Sequence, residues 1–386
     1  MMRPFSLKTR LWHTLSGLKW LLALALAFCA PMSVSARDIK VTVDASYAEY
    51  LLDIVCTGNE VDEKFLRAYA PLQSQIEHHT SMSDKRNFNT FVTSLQAASK
   101  CEVPEKDVFR FEPIIEDKDK FETVVAFFKE QGPAIEAFVG ETLAPYLPED
   151  LEYEGDLILS VIGNPCGGFA VSGRFYLALN CLTGSYQEDF ETAKLISTHE
   201  IFHDMQHNFF FEKGMDFKDV TTPDEGYRFL FQQLLMEGTA EYVADSRQIT
   251  GSGFLSNLLK GFSDNGNSQM AQHIRTFGYA ADIIGDYDDW HTRLHDMFMM
   301  GFTGAGRQIF YYAGAGMARH MEATLGRASL VCVMHLPAEQ FVLAYQSAAL
   351  SSPNEVAGPL SPAMIDIAKR MSDERTADLR YESCLE

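Results

Sequence analysis

The sequence predicts a mainly helical α+β protein in which a small β-sheet or hairpin packs on one central helix. Apolar residues recur at spacings of three and four along most of the chain, which is typical of amphipathic helices. Short runs rich in β-favouring residues occupy residues 157–162 and 173–181. Residues 188–211 have broad apolar coverage, as expected for a buried helix. We therefore expect helices on both sides of a small β region.

The first 36 residues have the composition of a secretory signal peptide. Four basic residues without an acidic one accompany an apolar stretch that is too short to span a bilayer comfortably. Val34 and Ala36 supply the −3 and −1 positions of a cleavage site, so we expect cleavage after Ala36. Two alternatives are a retained membrane anchor and lipidation at Cys29, although the bulky Phe28 is unsuited to a lipobox. The expected location is periplasmic or secreted, without stable membrane insertion after cleavage.

Charge and cysteine content fit an extracytoplasmic compartment. Loss of the signal peptide would change the net charge from −21 to −25 because it removes only basic residues. A protein this acidic repels nucleic acid and anionic membrane surfaces, so we expect no nucleic-acid partner. Six of the seven cysteines would remain, and an even number in an exported chain suggests disulfides. Proximity favours Cys166–Cys181, followed by Cys56–Cys101 and Cys332–Cys384; free buried thiols are the alternative.

Three regions are predicted after the signal peptide. Residues 37–151 are expected to form a helical N-terminal region, punctuated by prolines. Residues 152–335 contain the β-favouring runs and are the predicted catalytic domain. Residues 336–386 are expected to form a helical C-terminal segment. The individual helices are predicted at residues 47–56, 60–70, 88–98, 121–143, 188–211, 227–248, 308–325 and 338–349.

The β region precedes the central helix directly. A glycine-rich turn at residues 163–168 separates the runs at 157–162 and 173–181. Two strands followed by a helix would allow the strand before the helix to pair with an extended peptide by strand addition. An ordinary hairpin without a binding role is the alternative.

The central helix carries the motif His199-Glu200-Ile201-Phe202-His203, an H-E-x-x-H sequence. Positions i and i+4 of a helix lie on one face, so His199 and His203 can bind one Zn²⁺. Glu200 can then reach a water molecule at that ion and act as a general base. Catalytic zinc sites commonly have three protein ligands, so the motif predicts a third ligand elsewhere in the chain.

The residues that follow the motif exclude one class of zinc peptidase. Gln206 and Phe209 occupy the positions where a metzincin has its glycine and its third histidine. His207 lies one turn beyond His203, but three successive helical turns diverge from one tetrahedral ion. We therefore expect a supporting role for His207 and a third ligand from another helix.

A pair of carboxylates 34 residues downstream of His203 is the better source of that ligand. Glu237 and Glu241 are at i and i+4 in a predicted helix and continue its apolar stripe. Carboxylates on such a stripe are costly unless they are paired or bind a metal. We expect one as a metal ligand and the other as a partner of a ligating histidine. A solvated helix face is the alternative.

At this point the sequence resembles the gluzincin group of zinc metallopeptidases, which join H-E-x-x-H to a glutamate ligand on a downstream helix. The segment Glu237-Gly238-Thr239-Ala240 matches their Glu-Gly-x-Ala pattern. The resemblance covers about residues 157–326 and is closest to bacterial zinc-dependent peptidases of unknown substrate. It implies Glu237 as the third ligand, Glu200 as general base and proton shuttle, one Zn²⁺ per chain and a peptide or protein substrate.

The resemblance also implies a donor for the oxyanion that forms during amide hydrolysis. Tyr311-Tyr312-Ala313-Gly314 is similar to the Tyr-x-x-Gly helix of related peptidase domains. Tyr311 is the expected donor and Tyr312 the second choice. Simple packing of both tyrosines is the alternative.

Two other classes of function fit the same features. One is an exported interaction protein with a structural metal or none, and the other is a zinc hydrolase that acts on something other than peptides. The recurrence of three ligand-type residues and a base at hydrolase spacing favours the peptidase. The sequence indicates neither the substrate specificity nor the oligomeric state.

Overall fold

A computed structural model describes most of the chain after the predicted signal peptide. The described residues are 38–148, 151–163, 166–171, 173–206, 215–285, 287–304, 306–353 and 358–385. The predicted signal peptide, Cys29 and His207 lie outside them. Within these ranges the protein is mainly helical with one small sheet, as the sequence predicts.

Four strands form the sheet. They are β1 (Asp38–Asp44), β2 (Glu152–Ser160), β3 (Gly168–Val171) and β4 (Arg174–Ala178), in the spatial order β1-β2-β4-β3. β2 pairs in parallel with β1 and β4, whereas β3 pairs antiparallel with β4 and forms one edge. The second half of β2 is buried on both faces because it lies inside the parallel part of the sheet.

The topology corrects two expectations about the β region. The predicted strands at 157–162 and 173–181 correspond to β2 and β4, but these are parallel neighbours and not the two arms of a hairpin. β3 supplies the antiparallel partner from the end of the glycine-rich turn. The strand before the motif helix, β4, is paired on both sides, so it has no free edge for a substrate. Among the described strands, β3 lies at the edge of the sheet on that side instead.

Helices precede and follow the sheet strands in the sequence. The N-terminal helices are α1 (Ser46–Ile54), α2 (Glu63–Ala68), α3 (Ala70–Met82), α4 (Phe88–Ser99), α5 (Glu112–Glu116), α6 (Lys118–Glu130) and α7 (Gly132–Leu143). The one long helix predicted at 121–143 is two helices, since Pro133 near the start of α7 lacks the N–H that a continuous helix would require.

The second half of the chain begins with the motif helix. Its helices are α8 (Phe190–Met205), α9 (Pro223–Val243), α10 (Phe254–Ser268), α11 (Met270–Gly278), α12 (Ala280–Ile284), α13 (Trp290–Phe302), α14 (Ile309–Leu325), α15 (Arg327–Met334), α16 (Ala338–Ser351) and α17 (Pro362–Asp373). Helix α8 packs on β3, β4 and α7, and α9 packs along α14. The predicted packing of the sheet on the motif helix is therefore confirmed.

One continuous apolar core joins these elements. It runs from Val41 on β1 to Met371 on α17. The sheet itself combines β1 from the predicted N-terminal region with three strands of the predicted catalytic domain. The predicted boundaries between regions remain a prediction.

All three predicted disulfides are present. They join Cys56 to Cys101, Cys166 to Cys181 and Cys332 to Cys384. Such bonds persist in oxidising compartments. Among the described helices, none combines the length and apolar character that a membrane span requires.

A buried carboxylate fixes the start of α10 beside α8. Asp189, at the N-terminus of α8, accepts hydrogen bonds from the backbone amides of Leu255 and Ser256 at 3.2 and 2.7 Å. It also accepts from the Ser185 and Ser256 hydroxyls, both at 2.6 Å. The carboxylate is fully buried and satisfies amides that a helix N-terminus leaves unpaired.

Replacement of that carboxylate is expected to destabilise the protein. Asp189→Ala leaves several buried donors unpaired and should lower the free energy of unfolding by about 3 kcal/mol. Asp189→Asn keeps one acceptor oxygen and should lower the free energy of unfolding by less. Denaturant unfolding of both variants checks this order, and equal stability of Asp189→Ala and wild type would contradict it.

Candidate active site

Three side chains converge where α8 faces α9. The Nε2 atoms of His199 and His203 are 3.1 Å apart, and Glu237 Oε2 lies 3.2 Å from His203 Nε2 and 3.6 Å from His199 Nε2. All three side chains are mostly buried. Among the described residues they form a group of metal-ligand type in which every ligand atom lies within 4.8 Å of the others.

The donor set fits a zinc ion. Two ligands about 2.1 Å from one ion at a tetrahedral angle lie about 3.4 Å apart, and the three observed separations, 3.1, 3.2 and 3.6 Å, bracket this value. Two imidazoles and one carboxylate are a common protein ligand set of catalytic zinc. The residues present therefore fit the metal that the sequence predicts.

The charges at the cluster suit a cation as well. Burial opposes ionisation of Glu237, but the two neighbouring imidazoles outweigh it and hold the pKa of that carboxyl well below its usual range. Burial also opposes protonation of His203, but the Glu237 carboxylate outweighs it and raises the pKa of His203 to about 9. A metal ion can take the place of that proton.

Gln206, which the sequence does not identify as a site residue, orients His203. The Gln206 amide nitrogen donates to the Met236 carbonyl at 3.1 Å and to the Thr239 hydroxyl at 2.8 Å. Its amide oxygen is therefore left to accept a hydrogen bond from His203 Nδ1 at 2.8 Å. This bond leaves His203 Nε2 free to bind a metal. The signal in the sequence is its position, one helical turn after His203.

Removal of this partner should weaken metal binding. Gln206→Ala is expected to lower zinc affinity by about 10–100-fold, because His203 loses the bond that fixes its ring and tautomer. Thr239→Val removes one acceptor of the Gln206 amide and keeps the bond to His203, so its effect should be smaller. Competition with a zinc chelator of known affinity measures both. Unchanged affinity in Gln206→Ala would refute the orienting role.

Glu200 lies on α8 beside the cluster and lines two cavities there. Burial raises the pKa of its carboxyl, while His199 and His203 act in the opposite direction. A glutamate in this position can hold a proton during a reaction at the cluster.

Tyr311 and Tyr312 occupy different environments. The Tyr311 ring stacks on His199 with centroids 5.8 Å apart. Burial, followed by the charges of Glu237 and Glu200, raises the pKa of Tyr311 well above its ordinary value, so its hydroxyl keeps its proton. Tyr312 instead stacks on His273 at 5.9 Å. This placement favours Tyr311 as the residue that faces a reacting group.

Gly238 and Gly314 lie where helices α9 and α14 cross. A Cβ on Gly238 would lie 2.3 Å from the Gly314 Cα, and a Cβ on Gly314 would lie 2.4 Å from the Leu234 carbonyl oxygen. The helices are therefore in backbone contact at this point. Because Glu237 precedes Gly238 and Tyr311 lies one turn before Gly314, the crossing sets the separation of the two side chains.

Glu241 lies one turn after Glu237 on α9. It accepts a hydrogen bond from the Ser246 hydroxyl, which also bonds to the Ser263 hydroxyl at 2.7 Å. Burial raises the pKa of Glu241 to about 7, and the charge of His199 opposes this shift. Its role as a partner of a ligating histidine remains a prediction.

The edge strand β3 passes between two cavities that share Glu200 and Tyr311. Residues Cys166 to Gly168 border a cavity of about 360 Å³ that extends towards α10. Gly168 to Ala170 border a second cavity of about 540 Å³, whose lining includes His203 and Glu237. The cluster therefore lies where the two cavities adjoin, with His199 lining the first and His203 and Glu237 lining the second.

One family of known proteins matches most of this chain. Residues 64–354 match the family described as "Putative zinc dependent peptidase (DUF5700)". The match covers about three quarters of the chain. The chain belongs to this family. No curated protein and no solved structure was found to match it.

The DUF5700 match extends beyond the part of the chain that resembles gluzincins. It begins in α2 and includes most of the N-terminal helices as well as all residues of the cluster. The family is described as zinc dependent, and this member has a His-His-Glu group that fits zinc.

Proposed function

We propose that this protein is an exported zinc-dependent peptidase that cleaves peptide or protein substrates. The observation that carries the proposal is the convergence of His199, His203 and Glu237 directly beside Glu200. The family description supports the same reaction class. His199, His203 and Glu237 would hold one zinc ion per chain, in the manner of gluzincins.

The bound ion would polarise the substrate carbonyl and lower the pKa of a nearby water molecule. Glu200 would accept a proton from the attacking water and pass it to the leaving nitrogen. The Tyr311 hydroxyl, which burial keeps protonated, would donate a hydrogen bond to the developing oxyanion. The outer edge of β3, which no other described strand covers, would hold the extended substrate backbone by strand addition.

Export to the periplasm or the exterior is part of the proposal. The predicted signal peptide ending at Ala36 motivates it, and the three disulfides are compatible with an oxidising compartment. The proposed organisation is a signal peptide at 1–36, an N-terminal helical region at 37–151, a catalytic domain at 152–335 and a C-terminal helical segment at 336–386. We propose no nucleic-acid partner and no stable membrane insertion of the mature chain.

Zinc content of the mature protein is the first test. We expect about one zinc per chain by elemental analysis after dialysis, and loss of that zinc in His203→Ala, because two ligands hold the ion too weakly. The zinc-loaded protein should hydrolyse peptides, and a chelator should stop it reversibly.

The same experiment separates the peptidase from an interaction protein. Absence of zinc, with none taken up on addition, would overturn the catalytic proposal. Zinc that remains bound in His203→Ala would show that the ion sits elsewhere. Unfolding curves of His203→Ala distinguish metal loss from general misfolding.

A further inference from the structure

The cavity between α8 and α10 has apolar walls beside the proposed catalytic centre. Its described lining residues include His199, Glu200 and Tyr311 from the centre itself. No lysine or arginine is among the described lining residues. The apolar residues that line it are Leu195, Ile196, Ala244, Ile249, Leu255, Leu258, Leu259, Phe262 and Tyr312.

Apolar side chains of helix α10 line this cavity and remain partly exposed. Leu258, Leu259 and Phe262 are only half-buried although they line a concave site. Apolar surface in a pocket of this kind, beside convergent polar groups, is typical of ligand sites. The Asp189 carboxylate holds the N-terminus of α10 in place, so the wall is built before any ligand arrives.

The direction of β3 determines which part of a substrate meets the apolar cavity. The chain runs from Cys166, beside the apolar cavity, through Gly168 at the start of β3, which lines both cavities, to Ala170, beside the second cavity. Antiparallel pairing is the more common and slightly more stable arrangement of strands. A substrate strand antiparallel to β3 would enter from the second cavity and carry its carboxyl-side residues into the apolar one.

We propose that the apolar cavity selects a large aliphatic or aromatic side chain in the residue that follows the scissile bond. The proposal rests on the proposed peptidase function for the position of that bond. The chemical class of the ligand follows from the cavity walls alone. Leu, Ile, Met and Phe side chains fit these apolar walls. An acidic side chain would instead be repelled by Glu200 and Glu241, and no lysine or arginine among the described lining residues could pair with it.

Cleavage-site profiling tests the proposal directly. The zinc-loaded mature protein is incubated with a peptide library of diverse sequence, and mass spectrometry identifies the new termini. We expect large apolar residues at the first position after the cut to be enriched about tenfold over acidic ones. Cleavage without this enrichment, or with enrichment of Lys and Arg, would overturn the proposal and leave the peptidase function intact.

Two variants on the same helix supply a matched comparison. Leu258→Asp places a charge in the apolar wall, and because Leu258 is half-buried the helix should tolerate it. Phe254→Asp changes an exposed residue, 62% accessible, that does not line the cavity. The enrichment should disappear in Leu258→Asp and persist in Phe254→Asp. Equal profiles in the two variants would refute the role of this wall.

A binding measurement separates this inference from the peptidase function. Glu200→Gln is titrated by calorimetry with blocked alanine hexapeptides that carry Leu, Ser or Lys at one central position. The Leu peptide should bind about tenfold more tightly than the Ser peptide, and Leu258→Asp in the same background should abolish the difference. That result without cleavage by wild type would sustain the pocket and reject the peptidase. Equal or undetectable binding of all three peptides would reject the pocket.

Discussion

Glu200→Gln is expected to lower peptide turnover by about 10²–10⁴-fold while zinc remains bound. The amide has nearly the same shape as the carboxylate but does not accept the proton that the attacking water must lose. Its side chain is not one of the three converging ligands, so the metal site should survive. Steady-state hydrolysis and zinc content, measured on the same preparation, check both parts of this prediction.

A glutamate on the same helix provides the control. Glu191 lies in the first turn of α8, is largely exposed and forms an ion pair with Lys194. Glu191→Gln should leave turnover and zinc content near wild type, since Glu191 is an exposed residue and not one of the three converging ligands. Full activity of Glu200→Gln would refute the mechanism. Loss of zinc in Glu200→Gln would mean that this carboxylate supports the metal site.

Gly238→Ala should impair both stability and activity. The new Cβ would lie 2.3 Å from the Gly314 backbone, which, unlike a flexible side chain, cannot turn aside. Helices α9 and α14 must then separate, at a cost of about 1–3 kcal/mol in the free energy of unfolding. A displacement of about 1 Å between Glu237 and Tyr311 would lower turnover by about 100-fold. Denaturant unfolding and hydrolysis rates measure the two effects.

The matched control is Gly261→Ala in α10. Gly261 is also helical, but a Cβ there would meet no atom within 4 Å. Alanine is the better helix former, so this variant should be about 0.5–1 kcal/mol more stable than wild type with unchanged turnover. Similar behaviour of the two variants would contradict the proposed role of the α9–α14 crossing.

Local patterns account for the features that the sequence predicts correctly. Apolar periodicity locates the helices, and short runs of β-favouring residues locate β2 and β4. The even number of cysteines and their proximity in the chain favour the three pairs that form. Helical spacing alone places His199 and His203 on one face of α8. Each of these inferences depends on residues that are near one another in the chain.

The strands that the sequence does not predict show the limit of local patterns. β1 lies alone ahead of a long helical region, and β3 has only four residues at the end of a glycine-rich turn. β3 is too short to have a clear pattern of its own, whereas the seven residues of β1 alternate between polar and apolar and carry a strand signal that the helical interpretation of this region overlooks. β1 forms hydrogen bonds with β2, which is distant in the sequence, and β3 forms them with β4, which follows it directly. The parallel pairing of β2 with β4 likewise depends on contacts that no local pattern specifies.

The sequence by itself determined the fold class and the residue types of the metal-ligand cluster, because these follow from spacing and composition, and it favoured the disulfide pairs without fixing them. Only the tertiary structure decided how the pieces meet. It brought Glu237 to within 3.2 Å of His203 and placed the crossing of α9 and α14 at Gly238 and Gly314. It also placed the Gln206 amide oxygen within hydrogen-bond distance of the His203 ring. The distances between helices depend on the packing of whole helices, which no local pattern specifies.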